Sequence, residues 1–473
     1  MRKSHVILFY AASLVAAVGV FLLIRSAGLR LFAPRTTQPP GIVETPPPAE
    51  TPSVLFHVLL ALVVIVISAR ILGVIFRWLH QPQVMGEVVA GLLLGPSFLG
   101  WLAPQVSLRL MPPAIAPFLA IIAQVGIILF MFLVGLELDT GLLRQRTRAS
   151  IAISHASIVV PFLLGTGLAL WLYPRFADGS ISFTAFALFI GVAMSVTAFP
   201  VLARILTDTE MQTSRMGVLA LACAAVDDVT AWCLLALVVG IARAQPGRVL
   251  VTVAATVAFI FFVLVIARRA AAWLARRQMS QGRTTQQMFA TVCVSLLVSS
   301  LVTERIGIHA LFGAFLLGAV VPHDSQLARD IQEKCEDLVV VLFLPVFFAF
   351  TGMRTQVGLL KEPADWLVCV VIILIASSGK FGGSFFAARI TGSDSKEAAS
   401  LGILMNTRGL MELVILNVGL DLGVLSPTLF AMFVLMAVVT TLATTPILQA
   451  LAAPRRPENN LGKKPPKHRA IPT

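Results

Sequence analysis

Long apolar runs alternate with short polar joints from one end of the chain to the other. After a first run at 6–24, apolar segments fall at about 54–77, 84–102, 114–136, 151–173, 183–204, 216–242, 249–267, 287–303, 307–322, 337–353, 366–388, 399–421 and 426–450. Few polar positions interrupt them, and these draw no amphipathic stripe. Each segment therefore reads as a helix that is apolar all round. Some 17–25 such residues, rising about 1.5 Å each, cross the hydrocarbon layer. The pattern predicts an all-α polytopic membrane protein with thirteen spans over 54–450 and one more helix before them. Shorter segments such as 307–322 are expected to be tilted, broken or shielded by neighbours.

Composition agrees with this reading. Of 473 residues, 58% are hydrophobic and only 12% charged, about half the charged share of a soluble domain. The net charge of +13 sits mostly in the joints. With the N-terminus in the cytoplasm, Lys and Arg number 24 on the cytoplasmic side against 10 opposite, with Lys380 and Arg408 inside spans. That asymmetry predicts an inner-membrane protein with a cytoplasmic C-terminus, and it accounts for the basic tail 451–473 without nucleic acid. The basic stretch 268–283 reads as a cytoplasmic loop. Six spans precede 249–267 and six follow that loop, so repeats of about 54–242 and 287–450 flank a linker helix in inverted orientation. At the N-terminus, Arg2 and Lys3 precede an apolar run too long for a signal peptide and without a clear cleavage site, so an uncleaved anchor over 1–30 is expected. A stiff Pro-rich linker follows over 31–53. Five cysteines and seven histidines form no metal-ligand spacing. No metal site, cofactor or enzyme active site is predicted.

Against the apolar background a few polar residues stand out. Asp227 and Asp228 lie near the middle of the span LALACAAVDDVTAWCLLALVVG. A carboxylate at that depth costs about 2.5–3.5 kcal/mol on insertion scales and is functional by default, the alternative being a structural pair with a buried Arg or Lys. The fifth core span, FIGVAMSVTAFPVLARIL, holds Ser195, Thr197 and Pro200. Pro200 lacks an N–H and disfavours helix at Phe199. Carbonyls freed there, with the Ser195 and Thr197 hydroxyls, are candidate cation ligands; the alternative is an ordinary kink with hydroxyls bonded back along the helix. The twelfth, LGILMNTRGLMELVILNVGL, carries Asn406, Thr407, Arg408 and Glu412 and reads as a second break. Arg408 and Glu412 are one turn apart and can pair, as a structural bridge or in transport. Interrupted helices in corresponding positions of two halves point to a midplane binding site. In the eleventh span, Lys380 is flanked by Gly379, Gly382 and Gly383, which allow another helix to approach closely. Lys380 needs an acidic partner, Asp227 or Asp228, unless it snorkels to the cytoplasmic edge. Adjacent helical residues point roughly 100° apart, so one aspartate can meet Lys380 while the other faces an aqueous cavity. Burial and a neighbouring carboxylate both favour a neutral acid. A proton and a monovalent cation then compete for the same oxygens, which is the minimum chemistry of an antiporter.

The ordered set Phe132-Leu133-Val134-Gly135-Leu136-Glu137-Leu138, the Thr197 span, Ala225-Val226-Asp227-Asp228, Gly313-Ala314-Phe315-Leu316-Leu317-Gly318, Gly379-Lys380 and Asn406-Thr407-Arg408-Gly409-Leu410 resembles the monovalent cation:proton antiporter superfamily, second branch, over roughly 54–450. The resemblance implies a thirteen-helix inverted-repeat fold with a dimerisation domain, a core domain of two crossing unwound helices, and elevator-type alternating access. It implies a homodimer in a lipid bilayer, Asp228 as the shared cation and proton ligand, and Asp227 paired with Lys380. An Asp-Asp pair with that lysine resembles electrogenic exchangers, whereas the Asn406–Gly423 region is similar to potassium-exchanger-like members. The expected activity is exchange of Na⁺ or K⁺ for H⁺. With 23 residues after position 450, no soluble nucleotide-binding domain is expected there.

Three rival readings remain at this stage. A gated potassium efflux system would usually need a regulatory domain or partner subunit. A non-transporting sensor on the same fold would not need intact Asp228 and Lys380. An intramembrane aspartyl protease needs two carboxylates sharing a proton at about 3 Å, which neighbours on one helix do not provide.

Overall fold

The computed structural model describes residues 3–33, 51–137, 148–179, 181–209, 211, 214–243, 249–281 and 284–452. Among them there is no strand. The helices are α1 (Lys3–Gly28), α2 (Thr51–Trp78), α3 (Gln83–Leu94), α4 (Ala116–Glu137), α5 (Arg148–Phe176), α6 (Phe183–Ser195), α7 (Phe199–Asp208), α8 (Arg215–Arg243), α9 (Val249–Phe262) and α10 (Arg268–Gln281). They continue with α11 (Gln286–Ile306), α12 (Ala310–Val320), α13 (Gln326–Leu338), α14 (Leu344–Arg354), α15 (Pro363–Ile390), α16 (Ser395–Met405), α17 (Leu410–Asp421) and α18 (Pro427–Ala452). Among the described residues eleven helical stretches are long and apolar enough to cross a membrane, and the pair α16–α17, bent by 42°, makes a twelfth when counted as one span. The chain is a multi-pass membrane protein.

Every apolar segment has a helical counterpart, with four differences in detail. The basic stretch 268–283 is not a loop: α9 runs through one π turn, Val263–Ala267, directly into α10. Its sequence RRAAAWLARRQMSQ is built of strong helix formers, and charge takes it out of hydrocarbon without ending the helix. The segment at 337–353 likewise begins earlier, at α13, which Ser325 caps by accepting from the Ala328 N–H. The segment at 84–102 is interrupted after α3 and resumes as a short helix at Leu99–Leu102. The segment at 307–322 holds only the 11-residue α12. Most of the Pro-rich linker (34–50), the tail from 453, Leu138 and the joint around Arg144 and Arg146 lie outside the described residues.

Packing divides the helices into two bodies. α2–α4 and α9–α14 pack among themselves, and so do α5–α8 and α15–α18. Between the bodies the described contacts are sparse and join α18 to α3 and to the turn Val357–Leu359, and α8 to α9. α1 lies against α5 and α6 of the second body, with Ser13 Oγ 2.8 Å from His155 Nε2.

Within each body, glycines set the helix spacing. A Cβ on Gly135 would stand 2.3 Å from the Phe315 carbonyl oxygen, and one on Gly318 2.2 Å from that of Phe132. The Phe-Leu-Val-Gly and Gly-Ala-Phe-Leu-Leu-Gly motifs are thus two sides of one α4–α12 seam. A Cβ on Gly91 would meet the Phe348 carbonyl at 2.2 Å, fixing α3 against α14. In the second body Gly383 sits against Ala156 and Gly379 against Pro161, so α15 lies on α5. Gly382 meets nothing within 4 Å and takes no part in this seam.

Because backbone stands on both sides of the α4–α12 seam, Gly135→Ala is expected to destabilise the protein by about 1–3 kcal/mol. Gly167→Ala, in open space, should be neutral or slightly stabilising. Thermal unfolding in detergent compares the two; equal melting temperatures would contradict the seam.

Candidate functional site

Two spans of the second body stop partway along their length and restart. α6 ends at Ser195, Val196–Ala198 are extended, and α7 begins at Phe199. The β-branched Val196 and Thr197 weaken helix here. Pro200 falls in the first turn of α7, where its missing N–H is no loss. Phe199 is therefore helical, contrary to the expectation from the Pro200 step, and the break lies just before it. α16 ends at Met405 and α17 begins at Leu410, with Gly409 at φ +155° as the unwinding point.

The breaks cross and bond to each other. The Ala198 N–H donates to the Thr407 carbonyl at 3.0 Å, and the Thr197 hydroxyl lies 3.1 Å from the Met405 carbonyl. The Arg408 guanidinium donates to the Ala193 and Met194 carbonyls at 2.8 and 2.7 Å. These belong to the last turn of α6, which has no partners of its own, and a cation there also suits the helix dipole.

Beside the crossing, Asp227 of α8 is fully engaged. Its Oδ1 accepts from the Ser154 hydroxyl at 2.8 Å. Its Oδ2 accepts from the Ser157 hydroxyl at 2.7 Å and from Lys380 Nζ at 3.1 Å, and stands 2.9 Å from the Thr197 hydroxyl. Lys380 Nζ also donates to the Thr197 oxygen at 2.6 Å. Both charged side chains are 0% exposed, so Lys380 does not snorkel. Ser154 and Ser157 were absent from the residues singled out in the sequence. Ser150, Ser154 and Ser157 at i, i+4 and i+7 on an otherwise apolar span were the available signal.

Asp228 contrasts with its neighbour. It is 3% exposed, and neither carboxylate oxygen has a hydrogen-bond partner among the described residues. The Phe199 N–H at the start of α7 acts on it without completing a regular hydrogen bond. Arg408 and Glu412 form a second buried pair at 2.9 Å. Lys380 pairs with Asp227 and Arg408 with Glu412, and among the described residues Asp228 has no ion-pair partner of its own.

The remaining residues divide. The Ser195 hydroxyl donates back to the Gly191 carbonyl at 2.5 Å, the back-bonded arrangement, and does not join the Asp227 cluster. The Thr407 hydroxyl has no partner among the described residues. Asn406 lines a mainly apolar crevice of about 630 Å³ between α15, α16 and α18, and its side-chain oxygen is unpartnered there. No cluster of three potential metal ligands occurs among the described residues.

The sequence profile of the sodium/hydrogen exchanger transmembrane family matches residues 53–452. The chain is 42% identical over 396 residues to the Na⁺/H⁺ antiporter NhaS4 of Synechocystis, covering 83% of this chain and 97% of that protein. It is 34% identical over 394 residues to the K⁺/H⁺ antiporter 1 of Saccharomyces cerevisiae, covering 81% of this chain but 45% of that longer protein. In fold it is similar to the sodium proton antiporter MjNhaP1 of Methanocaldococcus jannaschii, with a TM-score of 0.52 at 16% identity over 84% of this chain and 97% of that one.

Removing one side of the buried Asp227–Lys380 pair strands the other. Lys380→Met is expected to destabilise the protein by about 3–5 kcal/mol, and adding Asp227→Asn should recover part of the loss. Unfolding of the two single variants and the double variant in detergent tests this; strictly additive losses would show that the pair is not coupled.

Proposed function

The chain belongs to the sodium/hydrogen exchanger family, and on that premise we propose that it exchanges Na⁺ or K⁺ for H⁺ across the cell inner membrane, with Asp228 as the shared site. One observation carries this reading: Asp228 is a buried acid with neither a hydrogen-bond nor an ion-pair partner among the described residues, beside two breaks where helical backbone is unwound. An isolated carboxylate in such a place is too costly to remain bare. It takes either a proton or a cation, and whichever occupies it excludes the other.

The unwound backbone supplies the rest of the ligand set. Among the described residues no hydrogen bond reaches the Val196 or Thr197 carbonyl, and such oxygens suit a hard monovalent cation. Asp227 has a different role. Four donors surround it, so it anchors Lys380 and orients the centre. An Asp-Asp pair beside a lysine is similar to that of electrogenic exchangers; electrogenic exchange needs a second proton per cation besides the one on Asp228, and Lys380 is the group that would carry it and release it as the cation binds.

The transport cycle follows from competition at Asp228. With the centre open to the outside, Asp228 takes up a proton. The second body moves against the first as an elevator, and the proton leaves on the cytoplasmic side. A cytoplasmic cation binds the bare carboxylate and the freed carbonyls, and the return movement carries it out. The first body acts as scaffold and homodimer interface, and the Lys and Arg asymmetry supports a cytoplasmic C-terminus.

In proteoliposomes with an acidic lumen, Na⁺, K⁺ or Li⁺ added in turn should collapse the pH gradient, and an imposed potential should alter the rate. Asp228→Asn should reduce exchange at least about 100-fold, as expected when the one essential proton acceptor is removed. Asp227→Asn and Lys380→Ala should slow it or change its stoichiometry. Full activity of Asp228→Asn would refute the site, and no proton movement with any cation would refute the function.

A further inference from the structure

Transport of the proposed kind requires that something hold the moving body in register with the scaffold and then let go. Polar contacts between the two bodies are few, and one group of them lies at a single level. It joins the end of α14, in the first body, to the end of α17, in the second. Arg354 donates to Asn417 Oδ1 at 3.1 Å and to Asp421 Oδ1 at 2.5 Å. Asn417 Nδ2 in turn donates to the Thr351 hydroxyl at 2.8 Å. Thr351 and Asn417 are buried, whereas Arg354 and Asp421 are partly open to solvent.

Each half of this group is rigid within its own body. Arg354 follows Gly352 by two residues, and a Cβ on Gly352 would stand 2.0 Å from the Gly91 carbonyl. The end of α14 is thereby fixed to α3. The Arg354 guanidinium also lies 5.2 Å from the Phe350 ring centre on its own helix. On the other side, Gly419 is pressed onto the Phe189 ring of α6, and Asn417 Nδ2 lies 2.9 Å from the Leu413 carbonyl of its own helix. The group therefore reports the relative position of the bodies, not local side-chain freedom.

We propose that Thr351, Arg354, Asn417 and Asp421 form an interbody clasp that stabilises one of two positions of the second body and opens in the other. They are positioning residues: none touches Asp228. Hydrogen bonds lapse beyond about 3.5 Å, so a relative slide of more than about 2.5 Å along the seam opens the whole group. The clasp lies at the membrane face opposite the end of α18, which is the outer face in the orientation proposed above. The inference rests on the moving-body reading, and the test separates the two.

Cysteines replacing Val106, in the short helix Pro104–Leu110 that packs on α2 of the first body, and Pro427 of the second, both exposed, would carry spin labels in the chain lacking its five native cysteines. Pulsed-resonance distances would be recorded in lipid nanodiscs with and without Na⁺ and K⁺. Arg354→Gln and Asp421→Asn should each shift the ratio of the two distance populations roughly fivefold or more, the lower end of ordinary coupling energies. The swap of Arg354→Asp with Asp421→Arg should move the ratio back toward the parent. Two populations whose ratio ignores the single variants, or a swap no better than the singles, would overturn the clasp while leaving the moving body intact. One fixed distance in every sample would overturn both, independently of whether Asp228→Asn abolishes exchange in vesicles.

Discussion

Backbone at membrane depth has no water to bond, so an interrupted helix there survives only if the protein itself satisfies the freed groups. The second body meets this constraint by crossing two interruptions. The extended Ala198 bonds to Thr407, and Arg408 bonds to the last carbonyls of α6. Neither break is self-sufficient. Arg408 acts as a helix cap supplied from the other half of the chain, and this is why a guanidinium can be wholly buried. Its charge is balanced one turn away by Glu412.

Once the breaks are fixed, the charges at the centre sort by geometry. α5 brings Ser154 and Ser157 to Asp227, α15 brings Lys380, and the first break brings Thr197. Adjacent positions on α8 diverge, so the same set cannot serve Asp228. One aspartate becomes a structural anchor and the other is left without a partner. Two chemically identical side chains thus acquire different roles from about 100° of helical rotation. The proposed exchange follows from that asymmetry, because only the unpartnered acid gains from a proton or a cation.

The glycine seams serve the same end on a larger scale. Backbone-to-backbone contact of α4 with α12, α3 with α14 and α5 with α15 makes each body stiff. Sparse contacts between the bodies, several of them polar, leave the boundary as the compliant surface. Stiff bodies with a weak boundary suit the proposed movement as units, in which a centre built entirely within one of them would keep its geometry.

Much of this was written in the chain in a form that local rules can read. Apolar runs gave the spanning segments, because an apolar helix of that length has no other stable setting. The cost of burying charge singled out Asp227, Asp228, Lys380 and Arg408, and the polar interruptions around Thr197 and Asn406 marked the breaks. Other features depended on contacts between distant segments. Charge alone does not distinguish a basic loop from a basic helix, so α10 was misread. Ser195 and Thr197 are equivalent hydroxyls in sequence, yet one turns back to Gly191 and the other joins Lys380 and Asp227. Ser154 and Ser157 acquire meaning only when α5 lies beside α8. Which aspartate meets the lysine was open to helix geometry alone, and only the family resemblance pointed to Asp227. Tertiary packing decided it, because α15 and α5 reach only one side of α8.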